Sequence, residues 1–121
     1  MKVLIIGGGA SGMMAALVAA QDAGNRVTLL ERQARVGRKL LASGNGRCNL
    51  SNLAADETHY YGAAAFVKPA LVRFPVQKTL DFFHVLGLLT TAQADGRVYP
   101  LSDQANSVVD VLRFALAARG V

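Results

Sequence analysis

The run GGGASG near the start of the chain has the residue types and spacing of a phosphate-binding turn. It contains the pattern G-x-G-x-x-G, formed by Gly7, Gly9 and Gly12. The first glycine of this pattern allows a tight turn, the second lets the backbone approach a pyrophosphate, and the third lets a helix pack closely. Ala10 and Ser11 would lie in the first turn of that helix, where unpaired N–H groups attract anions. The pattern predicts a dinucleotide-binding turn, and a purely structural glycine turn is the alternative.

A carboxylate follows at the distance that ribose recognition requires. Glu31 lies nineteen residues after Gly12, at the end of the second predicted strand. A carboxylate there accepts hydrogen bonds from the adenosine ribose hydroxyls and repels a 2′-phosphate, so it favours FAD or NAD over NADP. An exposed glutamate paired with Arg32 is the alternative. FAD and NAD share this fingerprint, and the choice between them depends on other residues.

A second unusual stretch, GRKLLASGNGRCNLSN at residues 37–52, combines glycines, cations, asparagines and the only cysteine of the chain. Its glycines would let backbone N–H groups approach a ligand, its cations could neutralise a pyrophosphate, and its asparagines could bind ribityl hydroxyls or ring heteroatoms. The glycines are Gly44 and Gly46, the cations are Arg38, Lys39 and Arg47, and the asparagines are Asn45 and Asn49. NAD alone would not need such a second loop, so the stretch favours FAD. A solvated basic loop is the alternative.

Composition and charge narrow the possible partners. The chain of 121 residues has 13 Lys and Arg against 8 Asp and Glu, and the excess is concentrated between Arg26 and Arg47. A local cluster without aromatic residues favours a small polyanion over single-stranded nucleic acid, which needs stacking platforms. Cys48 is alone, so no intrachain disulfide can form, which fits a reducing, cytoplasmic location. We also expect no membrane span, because no apolar stretch is long enough.

The elements that must position these residues can be predicted from hydrophobic patterning. Lys2–Ile6 and residues 26–31 have the pattern of buried parallel strands, and residues 10–23 that of a helix between them. Together they predict a right-handed βαβ unit. Residues 32–60 should be irregular apart from one helical turn at Arg38–Ala42. Residues 1–60 would therefore form the dinucleotide-binding unit with its flavin loop.

Residues 61–121 are predicted to continue the same domain with helices and a hairpin. The predicted helices are 63–74, interrupted by Pro69, then 76–86 and 104–118, and the hairpin strands are 88–93 and 97–99. Ser102 or Asp103 could cap the last helix. Two parallel strands and a hairpin would make a poor independent unit. We therefore expect an α/β, Rossmann-like N-terminal part of a larger two- or three-domain flavoprotein fold, completed by a C-terminal part or by a partner.

Three segments, VLIIGGGASGMMAA, LLERQARVGRKLLASGNGRCNLSN and GRVYP, carry a resemblance to a known family. Together they resemble the N-terminal part of the bacterial BaiN/YhiN-like FAD-dependent oxidoreductases, also described as aminoacetone-oxidase-like flavoproteins. The resemblance implies FAD as cofactor and an FAD domain assembled from N- and C-terminal segments around a substrate domain. The residues expected to bind the cofactor are Gly7, Gly9, Ala10, Ser11, Gly12, Glu31, Arg32, Arg38, Lys39, Gly44, Asn45, Gly46, Arg47, Cys48 and Asn49.

The chain is thus predicted to be the FAD-binding portion of a flavin-dependent oxidoreductase. Its electron partner would be NADH or NADPH and its substrate a small organic molecule, with no nucleic acid and no metal involved. The alternative is a non-catalytic dinucleotide-binding module, or one subunit of a split flavoenzyme. No catalytic residue can be named: Cys48 could be a redox thiol or a packing residue, Tyr99 could approach the flavin or pack, and Arg97 could face the cofactor or pair at the surface.

Overall fold

A parallel two-stranded sheet forms the centre of the N-terminal half in the computed structural model, which describes residues 1–121. Strands β1 (Lys2–Ile6) and β2 (Arg26–Leu30) pair along their whole length and are connected by helix α1 (Ala10–Ala19). The predicted βαβ unit is confirmed. Helix α1 ends four residues earlier than predicted, because the Asn25 side chain donates to the Ala19 carbonyl (2.9 Å) and closes the helix end.

A second, antiparallel sheet lies beyond the glycine-rich loop. Helix α2 (Arg38–Ala42) is followed by a 3₁₀ turn (Ser43–Gly46) and the short strand β3 (Ser51–Asn52). Strand β3 pairs with β5 (Arg97–Pro100), whose other edge pairs with β4 (Thr90–Ala92). The hairpin was predicted, but β3 was not, because two residues are too few to show a periodic pattern. This pairing attaches the end of the loop to a strand far along the sequence.

Three helices complete the fold. They are α3 (Ala64–Arg73), α4 (Val76–Val85) and α5 (Ala105–Ala118). The predicted interruption at Pro69 is wrong: α3 is continuous, and water can solvate the carbonyl that proline leaves unpaired because no residue of α3 is buried. The predicted cap of α5 is also wrong, since Gln104 occupies the N-cap position without a side-chain bond.

The hydrophobic core lies between α1 and α5, beneath the glycine turn. Helix α5 presents an apolar stripe with the predicted helical spacing, and α1 packs against it with small and flexible side chains. The buried residues of the two helices are Met13, Ala16 and Leu17 of α1 and Ala105, Val108, Val109, Leu112 and Leu116 of α5. No helix combines the length and the hydropathy that a membrane crossing requires.

Helix α5 also positions the loop that precedes α2. Gly37 has a φ of +72°, and a Cβ atom added to it would lie 2.9 Å from Val109 Cγ2. The Gly37 N–H donates to the Gly8 carbonyl at 2.8 Å. The start of α2 is therefore fixed between the core helix and the glycine turn, which holds Arg38 and Lys39 beside that turn.

Candidate cofactor-binding site

Two glycines of the turn are required by the protein's own backbone. Gly7 has a φ of +103°, a conformation that favours glycine, and its N–H donates to the Leu30 carbonyl at 2.7 Å. A Cβ atom at Gly12 would lie 1.8 Å from the Gly7 carbonyl oxygen, so only glycine lets α1 start this close to β1. A Cβ atom at Gly9, by contrast, would meet no protein atom within 4 Å. Gly9 therefore borders open space that a ligand could fill.

The N-terminus of α1 borders the same space. Gly9 is the N-cap residue, and the first turn has neither a side-chain cap nor an acidic residue. The first bond of the helix runs from the Met13 N–H to the Gly9 carbonyl at 3.0 Å, so the N–H groups of Ala10, Ser11 and Gly12 precede it. These donors and the positive end of the helix dipole suit an anion such as a pyrophosphate.

Glu31 stands at the end of β2 and already accepts two backbone hydrogen bonds. Its Oε1 accepts from the Gln33 N–H and its Oε2 from the Gly8 N–H, each at 2.7 Å. These bonds, first that of Gln33 and then that of Gly8, lower the pKa of the Glu31 carboxyl. A carboxylate has about four acceptor positions, so it retains capacity for ribose hydroxyls.

Gly8, the middle glycine, was not among the predicted site residues. A Cβ atom at Gly8 would lie 2.5 Å from Val36 Cγ1. Its N–H binds Glu31, and its carbonyl accepts from Gly37. Gly8 thus connects the glycine turn to the carboxylate on one side and to the start of α2 on the other. The signal in the sequence that could have identified Gly8 was the run of three consecutive glycines, since the G-x-G pattern needs only two of them.

These parts surround a groove of about 960 Å³. The groove brings together seven residues that the sequence predicted, namely Gly9, Ala10, Ser11, Glu31, Arg32, Arg38 and Lys39. It adds five that were not predicted, namely Gly8, Gln33, Leu40, Ala42 and Ser43. Arg38 Nη1 donates to Gln33 Oε1 at 2.8 Å. The three cations of the groove take part in none of the ion pairs of the structure, so their charge remains available to an anionic ligand.

The loop of residues 44–49 has an unusual backbone. Gly44 and Gly46 have φ angles of +56° and +81°, and the non-glycine residues Asn45 and Cys48 have +56° and +60°. Such a conformation costs a non-glycine residue roughly 1–2 kcal/mol. The loop is closed by the Cys48 N–H, which donates to the Ser43 carbonyl at 3.0 Å. Its first residues therefore adjoin Ala42 and Ser43, which line the groove.

Three side chains of the 44–49 loop contact other parts of the protein and do not line the groove. The Arg47 guanidinium lies 4.2 Å from the centre of the Tyr99 ring and 3.5 Å from Asp103 Oδ1. The Asn49 amide lies against the carbonyl oxygens of Ser51 (2.8 Å) and Val98 (3.2 Å), so its nitrogen must face them. Cys48 is only 2% exposed. The backbone of the loop and the exposed Asn45 therefore remain to contact a cofactor.

The structure also distinguishes between the alternative roles that the sequence allowed for Cys48, Tyr99 and Arg97. Burial raises the pKa of the Cys48 thiol, which favours packing over a reactive thiolate. Tyr99 is a core residue, with 2% of its surface exposed. Arg97 pairs with Asp95 at 2.6 Å on the surface of the hairpin.

The glycine turn, the acidic strand end and the basic second loop all lie within a match to a known family. All residues 1–121 match the HI0933-like protein Rossmann domain. The chain belongs to the HI0933-like family. The Rossmann-like α/β fold and the BaiN-like resemblance predicted from the sequence are confirmed by this match.

The chain is also similar in sequence to individual curated proteins. The chain is 45% identical over 122 residues to a 3-dehydro-bile acid delta(4,6)-reductase of Clostridium scindens, covering 99% of this chain and 30% of that protein. It is 37% identical over 110 residues to a ribosomal RNA dihydrouridine synthase of Escherichia coli, covering 90% and 27%. A protein with the same description from Haemophilus influenzae is 32% identical over 111 residues, covering 91% and 27%. The chain spans less than a third of the length of these curated relatives.

Proposed function

We propose that this chain is the FAD-binding portion of a flavin-dependent oxidoreductase that acts in the cytoplasm. The observation that supports this most directly is the continuous groove. It is lined by Gly9, which borders open space, by the Glu31 carboxylate, by three cations that form no ion pair, and by Ala42 and Ser43, which precede the 44–49 loop. A groove bordered by the residues that precede a second glycine-rich loop suits a cofactor that extends beyond an adenosine and a pyrophosphate, as FAD does.

Each part of the groove would have a distinct task. The first N–H groups of α1 would bind the pyrophosphate, with Arg38 and Lys39 offsetting its remaining charge. The Glu31 carboxylate, kept ionised by its backbone donors, would accept the ribose hydroxyls. The backbone of the 44–49 loop would contact the ribityl chain or the ring. When bound, the flavin would supply the redox chemistry, and the protein would hold and orient it.

The exposed face of the parallel sheet suggests that this portion works within a larger assembly. Leu4 and Ile6, on one face of β1, are 61% and 82% exposed. Parallel sheets are normally covered on both faces. Since the chain spans less than a third of its curated relatives, we propose that further parts of such a fold, or a partner, cover this face.

The proposed reaction passes electrons from NADH or NADPH to a small organic substrate. The identity of 45% to a bile acid reductase supports a small unsaturated molecule as the acceptor. A second candidate is the reduction of uridine in ribosomal RNA, since two relatives are described as dihydrouridine synthases. The net charge of +5 is compatible with a polyanionic substrate.

The test starts from the polypeptide that contains this chain, purified and examined by visible absorbance. We expect a yellow protein that releases FAD on heating, and anaerobic bleaching of the flavin by NADH or NADPH. The rate at which the reduced flavin is reoxidised is then compared between two candidate substrates, an unsaturated 3-oxo steroid and ribosomal RNA that lacks dihydrouridine. A protein that neither contains nor takes up FAD would refute the cofactor proposal. A flavoprotein that neither nucleotide reduces would refute the proposed electron donor.

A further inference from the structure

We infer that Tyr99 and Asp103 are positioning residues that hold Arg47, and through Arg47 the 44–49 loop, in the conformation needed at the cofactor groove. This inference rests on the proposed function, because it assigns a role in FAD binding to residues outside the groove. It also changes the role expected for Arg47 from a ligand of the pyrophosphate to an anchor of the loop.

The contacts of Arg47 support an anchoring role. Its guanidinium stacks on the Tyr99 ring, with 4.2 Å between the guanidinium carbon and the ring centre, and Nη1 lies 3.5 Å from Asp103 Oδ1. The side chain is 29% exposed, whereas that of Asp103 is 63% exposed. A planar guanidinium matches both an aromatic face and a carboxylate. Its charge is thus already satisfied within the protein.

The Tyr99 ring supports the loop at a second position. A Cβ atom at Gly44 would lie 3.2 Å from Tyr99 Cε1 and 2.7 Å from the Asn49 backbone nitrogen. The ring therefore contacts the start of the loop as well as Arg47. Tyr99 itself belongs to β5, which accepts a hydrogen bond from the Leu50 N–H through the Val98 carbonyl at 2.8 Å. The support is consequently part of a hydrogen-bonded sheet.

The backbone of the loop explains why an anchor is needed. Cys48 adopts a positive φ angle, and an unfavourable conformation of this kind persists only when surrounding contacts over-determine it. Asp103 also has a positive φ (+56°) and directly precedes Gln104, the N-cap residue of α5. The backbone of Asp103 thus lies at the start of the core helix, so the anchor connects the loop to both the sheet and α5.

The two possible roles of Arg47 predict opposite effects of Asp103→Asn. If Arg47 were a pyrophosphate ligand, removing the competing carboxylate would leave FAD binding unchanged or make it tighter. If Arg47 anchors the loop, the same change should weaken FAD binding. Asparagine tolerates a positive φ, so the backbone at this position need not change. The ion pair is partly exposed, and we expect a loss of about two- to fivefold in affinity.

The experiment measures FAD dissociation constants for wild type, D103N, R47K and Y99L in the polypeptide that contains this chain. R47K keeps the charge but loses the planar stacking, and we expect a loss of about three- to tenfold. D110N is the matched control, because Asp110 also forms a partly exposed pair, with Arg113 on α5 (3.1 Å), and does not border the groove. In the double variant R47M/D103N, which lacks the Arg47 charge, the effect of D103N should largely disappear.

A second readout is independent of FAD. Cys48 lies in the loop and is almost completely buried, so the rate of its thiol modification reports opening of the loop in the ligand-free protein. We expect faster modification of Cys48 in D103N and Y99L and an unchanged rate in D110N, measured by mass spectrometry of the Cys48 peptide. Unchanged or tighter FAD binding by D103N, or a wild-type rate at Cys48, would overturn the inference. If the wild type itself takes up no FAD, the proposed function fails, and the Cys48 rates alone decide whether the anchor exists.

Discussion

The pair Gly9 and Gly12 allows the requirements of the fold to be separated from those of the ligand. Both belong to the same motif, but the structure gives them opposite surroundings. Alanine at Gly12 would place its Cβ 1.8 Å from the Gly7 carbonyl oxygen and 3.0 Å from the Gly7 carbonyl carbon, which are backbone atoms. Alanine at Gly9 would project into space where no protein atom lies within 4 Å, at a φ of −77° that alanine adopts readily.

The expected magnitudes differ accordingly. Overpacking of this kind costs about 1–3 kcal/mol, and a clash with backbone should put Gly12→Ala at the upper end of that range or above it. Gly9→Ala should change the free energy of unfolding by less than about 1 kcal/mol, since the lower entropy of the unfolded chain offsets a poorer N-cap. Its methyl group would, however, occupy the position proposed for the pyrophosphate. FAD affinity should fall at least about tenfold, or 1.4 kcal/mol.

Urea unfolding of the ligand-free protein and titration with FAD measure the two effects separately. The expected pattern is loss of stability for Gly12→Ala and loss of affinity without loss of stability for Gly9→Ala. The reasoning would be refuted by a Gly9→Ala variant that still binds FAD like the wild type. Equal destabilisation by the two substitutions would refute it as well, because the open space at Gly9 should accommodate the added methyl group without loss of stability.

Three other predictions follow from the geometry of the groove. Because backbone donors lower the pKa of Glu31, the stability they contribute is present above the ordinary pKa of a glutamate and is lost as pH falls through the lowered value. The difference in unfolding temperature between wild type and E31Q should therefore shrink as pH falls through the acidic range, and a constant difference would contradict this. Gly8→Ala should destabilise the protein by about 1–3 kcal/mol in urea unfolding, and Val36→Ala in the same chain should recover part of that loss by removing the atom 2.5 Å away. ADP should raise the unfolding temperature and FMN should not, because the groove is proposed to bind the adenosine and pyrophosphate parts of FAD. Stabilisation by FMN alone would indicate that the groove binds the flavin end instead.

Local patterns were sufficient to predict the elements that carry the site. The apolar runs at β1 and β2, the glycine turn and the stripe of α5 each repeat within a few residues, and each appears where it was expected. Such patterns reflect hydrogen bonds and packing between near neighbours. They did not reveal β3, because its two residues form a strand only through pairing with Val98 and Arg97. A contact between distant segments leaves no periodic trace in either of them.

The absence of long-range contacts from local patterns also explains why two arginines of the 37–52 stretch were both predicted to neutralise a pyrophosphate. Arg38 and Arg47 lie in the same glycine-rich stretch, and nothing in that stretch distinguishes them. The structure separates them, because Arg38 borders the groove while Arg47 stacks on Tyr99 and faces Asp103, residues more than fifty positions further along the chain. A cation beside a phosphate-binding turn is available to a ligand only if no carboxylate or aromatic ring from elsewhere in the fold has already engaged it. Which cations remain available is therefore decided by tertiary contacts, and the effect of Asp103→Asn on FAD affinity tests that distinction directly.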